Sequence, residues 1–414
     1  MSKMHGSRWI TLAVWAAMAA FAALVIADLR AAPARPAPYW IADWQINYAA
    51  GFVRRGLLGE IVRVLGPRAG VDSRTAVLAL QVLAYLCFFG CLGMLLPPLL
   101  RRHPRLAFMA FSPIAFSFKP LDLEPGSTGA KEIVLFAALA LQVLIVRHRK
   151  AEAGAGHAGL VLTAIAWTLL VLVHESFFFF LPFSLLVILL GEGRSIRLPT
   201  LVMLALPATL AFLASARFHG DASFTAVICD SLGAAAPEGC RQAGAIAWIS
   251  RTPGFALKAI YYQSVTPPYL PLTTLQVLAL GCAGLAVLWT DRQVVSSWHA
   301  GVRDRTVRWA AGAGLLLPLP LLLVFSDQGR LLNMWFTCAA LALLALLGRQ
   351  AQDPAASKTV ADAGAPRVGS GARVMWGLLF AAYTTLWSSH GPCCADRLGQ
   401  GFFGALYIKA TERL

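Results

Sequence analysis

The chain is predicted to be an all-α, polytopic transmembrane helix bundle of about 11 spans, with the N-terminus inside and the C-terminus outside. Three observations predict this. Hydrophobic residues make up 58% of the 414 residues and charged residues only 13%, and mean hydropathy is +0.66. Apolar runs recur at close to the roughly 20 residues that a helix needs to cross a bilayer. Lys and Arg cluster in alternate loops, as they do on the cytoplasmic side of membrane proteins. Little is left for a soluble domain, so residues 1–414 are expected to form a single integral membrane domain.

In chain order, the first apolar run covers about residues 9–27, behind Lys3 and Arg8. The Ala-rich stretch after it resembles a signal-peptide cleavage region, but the run is long enough to span a bilayer and is read as a retained anchor. A long outer loop, 28–74, follows. Further spans are expected at 75–100, 106–118, 132–146, 158–173, 176–190 and 200–216. A second long outer loop, 217–268, precedes spans at 271–289, 309–325, 331–347 and 374–388. The inside loops carry Arg101, Arg102 and Arg105, then Arg147, Arg149 and Lys150, then Arg194 and Arg197. Arg292, Arg303, Arg305 and Arg308, then Arg349, Lys358, Arg367 and Arg373, continue the series. The only linker-like stretch, Gln350 to Gly371, lies on that side, and no internal repeat is visible.

The net charge of +15 does not imply nucleic acid, because topology accounts for most of the basic residues and no basic stretch is interleaved with stacking aromatics. Cys87, Cys91, Cys282 and Cys338 fall inside apolar spans and read as packing residues. Cys229 and Cys240 share the second outer loop, where an oxidising compartment would permit a disulfide; Cys393 and Cys394 lie in the C-terminal segment. No Cys/His spacing suggests zinc.

The most informative polar feature is His174-Glu175, in the middle of the apolar run from Ala158 to Leu190. An ionised side chain at bilayer depth costs roughly 2.5–3.5 kcal/mol on insertion scales, so such residues usually face protein or a wet cavity. Both flanks of the run are basic, so its 33 residues must cross twice. They supply about 50 Å of helix against roughly 60 Å for two full crossings. The doublet is therefore expected below the outer surface, in a cavity walled by protein and open to water. The same shortness recurs at 106–118 with 132–146, whose second span opens with Lys131-Glu132, and at 309–325 with 331–347, joined by Ser326 to Arg330 and including Asp327.

The first outer loop breaks the charge rule: Arg30, Arg35, Arg54, Arg55, Arg63, Arg68 and Arg74 are all expected outside, a pattern that points to an anionic partner. Within it Leu57, Leu58, Ile61, Val62 and Leu65 fall on one helical face, with Glu60 and Arg63 elsewhere, as in a helix lying in the membrane interface. Each of these features has a packing alternative. His174-Glu175 could be an interhelical hydrogen bond, Asp327 and Arg330 a turn-closing ion pair, and Lys131-Glu132 interfacial snorkelling plus helix-start charge. Arg54 and Arg55 could bind head groups, and Asp43 could cap a helix. All five fall on the same expected face, which favours a shared site. Arginine and lysine there suit a phosphate at head-group level, and a carboxylate can act as general base toward a hydroxyl.

After the first span, the loop reads Asp-x-x-x-x-Tyr-x-Ala-Gly from Asp43 to Gly51, followed by the helix-forming stretch. This resembles the GT-C class of integral membrane glycosyltransferases. The resemblance implies a GT-C-like bundle in a bacterial inner (cytoplasmic) membrane, a polyprenyl-phosphate-linked sugar donor and a glycan or lipid acceptor on the outer, periplasmic face. It implies Asp43 as the base of an inverting transfer, with Glu175 and His174 binding sugar hydroxyls or assisting proton transfer. Arg54, Arg55, Lys131 and Arg330, with Glu132 and Asp327, would form the substrate-binding set around the lipid phosphate. No Asp-x-Asp accompanies Asp43, so no cofactor is expected and a divalent metal is left open. A weaker resemblance, carried by Lys131-Glu-Ile and His174-Glu-Ser with Pro182 beyond, is to membrane polymerases of bacterial surface polysaccharides, which would join repeat units on the same face. A transporter or flippase of a lipid-linked or anionic substrate is the alternative of another class.

Overall fold

The structure, a computed structural model, describes residues 2–31, 39–112, 114–116, 127–148, 157–192, 196–242, 244–251, 254, 255, 258, 269–302, 304–323, 328–350 and 370–385. The chain is an all-helical membrane protein, and no strand occurs among the described residues. Asp327, Cys393 and Cys394 lie outside them.

Among the described residues, four helices are long and apolar enough to cross a membrane. They are α1 (Ser2–Ala31), α4 (Ser73–Arg102), a later helix Leu198–Arg217 and another within Gln328–Gln350. Between α1 and α4 lie two shorter helices, α2 (Tyr39–Gln45) and α3 (Leu57–Arg68). The order continues with α5 (Ala107–Ala110), α6 (Glu132–His148), α7 (His157–Val173), α8 (Leu181–Glu192) and α9 (Leu198–Arg217). It closes with α10 (Ala222–Leu232), α11 (Gly244–Ala247), α12 (Tyr269–Trp289), α13 (Arg292–Gly301), α14 (Arg305–Leu316), α15 (Gln328–Gln350) and α16 (Ser370–Thr385).

Helix starts follow local chemistry. Asp72 accepts from the backbone N–H groups of Arg74 and Thr75 and so satisfies donors that α4 would leave orphaned; Asp221 does the same for α10 and Asp304 for α14. Proline marks two breaks, although Pro97 and Pro98 lie within α4 and Pro207 within α9. The expected span at 309–325 is helical only to Leu316, giving way at Pro318 and Pro320 to a 3-10 turn over Leu319–Leu323. The expected span at 106–118 is likewise broken: a 3-10 turn at Pro104–Leu106 leads into the four-residue α5, and turns follow from Phe111.

Packing sorts the helices by depth. Within α15 the apolar window is 78% buried, against 22% for α9, so α15 is the axis and α9 a peripheral helix. On α9, Met203, Leu206, Leu210 and Leu213 point away from the protein, the composition of a lipid-facing stripe. α15 packs on α6 and α8, α6 on α4, and α4 on α1, and one apolar core runs through them. Leu92 and Leu96 of α4, Leu139 and Val143 of α6, and Leu341 and Leu344 of α15 are part of it. Cys91 and Cys338 are buried in helices as expected, whereas Cys282 is exposed on α12.

A second, smaller core sits at one end of the bundle and joins α2 to α10 and α11 through Ile46, Val53, Ile228 and Ile249. Cys229 and Cys240 form a disulfide within this lobe. In α3 the expected apolar face divides: Val62 is buried and Leu57 and Leu58 pack on the main core, while Ile61 and Leu65 are exposed. Among the described glycines the tightest approach to backbone is at Gly59, where a Cβ would stand 1.9 Å from the carbonyl oxygen of Ile46, so α3 can lie against the end of α2 only because no side chain is present.

Candidate functional site

The charged residues picked out by the sequence, apart from Asp327, which lies outside the described residues, meet beneath this lobe. Asp43 stands on α2, a helix pinned on several sides. Trp44 donates its indole N–H to the Gly129 carbonyl at 2.6 Å, Gln45 donates to Ser73 Oγ at 2.8 Å and to Ala235 O at 3.2 Å, and Asn47 donates to Ser231 Oγ at 3.0 Å. Asp43 does not cap this helix; it lies inside it, 2% exposed. Its Oδ2 is 3.7 Å from Lys131 Nζ and its Oδ1 is 3.9 Å from Arg55 Nη1. Among the described residues Oδ1 accepts no hydrogen bond.

Lys131 directly precedes α6 and is 0% exposed; its ammonium donates to the Arg55 carbonyl at 3.0 Å. That carbonyl is presented by an unusual backbone. Arg55 has φ +66°, the only described non-glycine residue in the left-handed region, a conformation that costs an L-residue about 1–2 kcal/mol. Arg55 is held there from both ends, by Lys131 on its carbonyl and by Glu175 on its guanidinium.

Glu175 opens a 3-10 turn, Glu175–Phe180, between α7 and α8. His174 before it is extended, and its Nδ1 accepts from the Ser176 backbone N–H at 3.3 Å and lies 2.8 Å from Ser176 Oγ. An Nδ1 lone pair used in this way makes His174 a neutral ring with its proton on Nε2. The ring stacks on Phe177 at 5.3 Å. Glu175 also lies 3.9 Å from Arg54 Nη1. A second carboxylate, Glu132 at the start of α6, pairs with Arg330 of α15, whose guanidinium lies 4.5 Å from the ring centre of Trp40. Glu132 and Lys131 are neighbours in the chain, so the two ion-pair groups form one cluster.

The arrangement corrects one expectation. These groups do not line an open, wet cavity: Asp43, Lys131, Glu132 and His174 are each at most 2% exposed, and Arg330 is 8% exposed. Exposure is confined to the edge formed by Arg54, Arg55 and Glu175, whose side chains keep 23%, 21% and 17%. A second expectation, of first-loop arginines left over for an anionic partner, holds for fewer residues than the sequence implied. Arg63 pairs with Glu60 on α3, and Arg74 donates to the carbonyls of Ala235 and Ala236.

The electrostatics follow from the geometry. Burial opposes the charge on Asp43, but Lys131 and Arg55 outweigh it and hold the carboxyl below its usual range. Burial pulls Lys131 down to about 8, with the Asp43 carboxylate opposing the change. For Arg55, burial is overcome by Glu175, and its proton is held more firmly than in a free arginine. Such displaced groups concentrate at functional sites, although structural ion pairs also produce them.

Several residues that organise the site escaped sequence reading. Asp28, near the end of α1, accepts from Thr128 Oγ1 at 2.6 Å; Tyr85 donates to the Thr128 carbonyl at 2.7 Å, and Gln81 to Gly129 O at 3.0 Å. This buried knot fixes the segment leading into Lys131. Asp28 was detectable as an acid closing an apolar run, and Trp40 as the residue one turn before Asp43 on the same helical face.

Residues 7–239, more than half of the chain, fit the model of a family described as an uncharacterised membrane protein, Rv1490. The matched region contains Asp43, Arg54, Arg55, Lys131, Glu132, His174 and Glu175, and Arg330 lies beyond it. No curated protein and no solved structure matches the chain.

Proposed function

The chain belongs to the Rv1490 family of uncharacterised membrane proteins, and we propose that it is a membrane glycosyltransferase of GT-C type. It moves a sugar from a polyprenyl-phosphate-linked donor to a glycan or lipid acceptor on the outer face of a bacterial inner membrane. The topology proposed with it keeps eleven apolar segments, the N-terminus inside and the cluster at the outer end.

The observation that supports this reading most is the setting of Asp43. A carboxylate with an oxygen that accepts no hydrogen bond among the described residues lies between two cations in a site shielded from water. When the donor phosphate enters, Arg55 and Lys131 share their charge with it, and the proton affinity of Asp43 rises as they do. Asp43 then takes the proton of the acceptor hydroxyl as that oxygen bonds to the anomeric carbon. The bond from this carbon to the phosphate oxygen breaks, and the lipid phosphate leaves with the electron pair, its charge met by Lys131, Arg55 and Arg330.

The charge count suits a single phosphate. Among the described residues, Arg54, Arg55, Lys131 and Arg330 face Asp43, Glu132 and Glu175, which leaves one positive charge for the one negative charge of a phosphodiester. The test uses the protein in liposomes loaded with radiolabelled polyprenyl-phosphate sugars and a membrane extract as acceptor. Transfer of label out of the lipid-phosphate fraction is expected. Movement of intact donor across the bilayer without transfer would replace this reading with transport.

A further inference from the structure

Four large aromatic side chains, Phe52, Phe218, Trp248 and Phe255, remain 37–54% exposed at the lobe end of the bundle. They form two edge-on pairs, Phe52 with Phe218 at 6.1 Å and Trp248 with Phe255 at 5.5 Å. Both pairs are fastened to Arg54. Its backbone N–H donates to the Phe218 carbonyl at 3.2 Å, and its guanidinium donates to the carbonyls of Trp248 and Ile249 at 3.0 and 3.3 Å. Arg54 in turn belongs to the exposed edge of the charge cluster, 3.9 Å from Glu175. The segments that carry the rings are thus tied, through backbone carbonyls, to the exposed edge of the cluster.

We infer that these two ring pairs form a platform for the saccharide of the acceptor, a site distinct from the one that holds the lipid phosphate. The inference rests on the proposed glycosyl transfer. Aromatic faces carry the negative part of the ring quadrupole and attract the polarised C–H face of a sugar. Each pair also has a guanidinium over one of its two rings, Arg251 at 4.7 Å from the Phe255 ring centre and Arg217 at 5.9 Å from that of Phe218. Aromatic surface with guanidinium donors packed against it offers both stacking and hydrogen bonds to a polyhydroxylated ligand. An aromatic belt at the membrane interface would need the rings but not the attachment of their backbone to an arginine at the exposed edge of the charge cluster.

The test is retention of saccharide by full-length protein held in immobilised nanodiscs. The probe is the pool of glycans released by mild acid from the envelope of the source cells, with the retained fraction read by mass spectrometry. Wild type and Asp43→Asn are expected to retain the same hexose-containing species, and Trp248→Ala with Phe218→Ala at least tenfold less. The ring-preserving pair Trp248→Phe with Phe218→Tyr is expected to restore retention, which separates loss of the platform from loss of the fold. Equal retention by wild type and the double alanine variant, none included, overturns the inference. So does a double variant altered only in its retention of lipid, which would make the rings a membrane anchor. Because Asp43→Asn is read by binding, retention without turnover would count against the transferase reading and leave the platform standing.

Discussion

Arg55 grips Glu175 with two nitrogens, Nε at 2.9 Å from Oε2 and Nη2 at 2.6 Å from Oε1. The pair ties the loop after α2 to the turn between α7 and α8, residues 120 positions apart. Through the Arg55 carbonyl it also places Lys131. Glu175→Gln is expected to remove the nearest counter-charge of Arg54 and Arg55, leaving Asp43 at 3.9 Å from Arg55. The cost should be about 1–3 kcal/mol, below the roughly 3–5 kcal/mol of a fully buried pair because both side chains keep some exposure. Arg55→Lys should cost a similar amount, since a point charge cannot reproduce the fork. Thermal unfolding in detergent checks both; a melting temperature unchanged in both variants would show that the pair does not fasten the loop.

Lys131 predicts a pH dependence. Burial brings its proton affinity down to about 8, so the ammonium charge is lost as pH rises through that value. Donor KM is expected to increase above pH 8 while kcat at saturating donor changes less. Lys131→Met should have the high KM at every pH, and Lys131→Arg should lose the alkaline increase. The sign for stability is opposite. A lysine whose folded value is depressed is destabilising while charged, so its contribution to stability improves as pH rises from about 8 toward the free value. A donor KM constant from pH 6 to 10 would remove Lys131 from phosphate binding.

Gly59 predicts a packing requirement. A methyl group there meets the Ile46 carbonyl oxygen, a backbone atom that cannot rotate aside. Gly59→Ala is expected to push α3 off α2 at a cost of about 1–3 kcal/mol and to weaken transfer through the displacement of Asp43. Full stability and activity in this variant would mean that α2 moves freely without harm to the site.

The Cys229–Cys240 bond closes a short loop in the lobe that holds Arg54 and Arg74 by its carbonyls. Cys229→Ser is expected to destabilise the lobe by about 2–3 kcal/mol. Proteolysis of the 222–250 region should accelerate while the bundle core stays protected. Identical cleavage with and without reductant would contradict this.

Much of the site was legible because its parts are costly: a charge in an apolar run must be partnered, which marked Glu175, His174, Lys131, Glu132 and Arg330, and the loop pattern marked Asp43. What was not legible was pairing. Nothing in spacing says that Arg55 takes Glu175 or that Arg330 takes Glu132, because those contacts depend on how α3, α6, α7 and α15 pack. Nor did charge counting reveal that Arg63 and Arg74 are used within the protein, since a backbone carbonyl carries no mark in the sequence. For the fold, hydropathy located the apolar segments, but the prolines at 104, 318 and 320 decided where helix gives way to 3-10 turns, and mean hydropathy is blind to that.

The most direct test of the account compares donor binding with sugar transfer in Asp43→Asn, using radiolabelled polyprenyl-phosphate sugar and protein in nanodiscs. Asparagine keeps the shape of the site and removes the base, so donor binding is expected to equal or exceed that of wild type while the transfer rate falls at least 100-fold, the lower range of general-base contributions. Transfer at the wild-type rate with intact binding would contradict it.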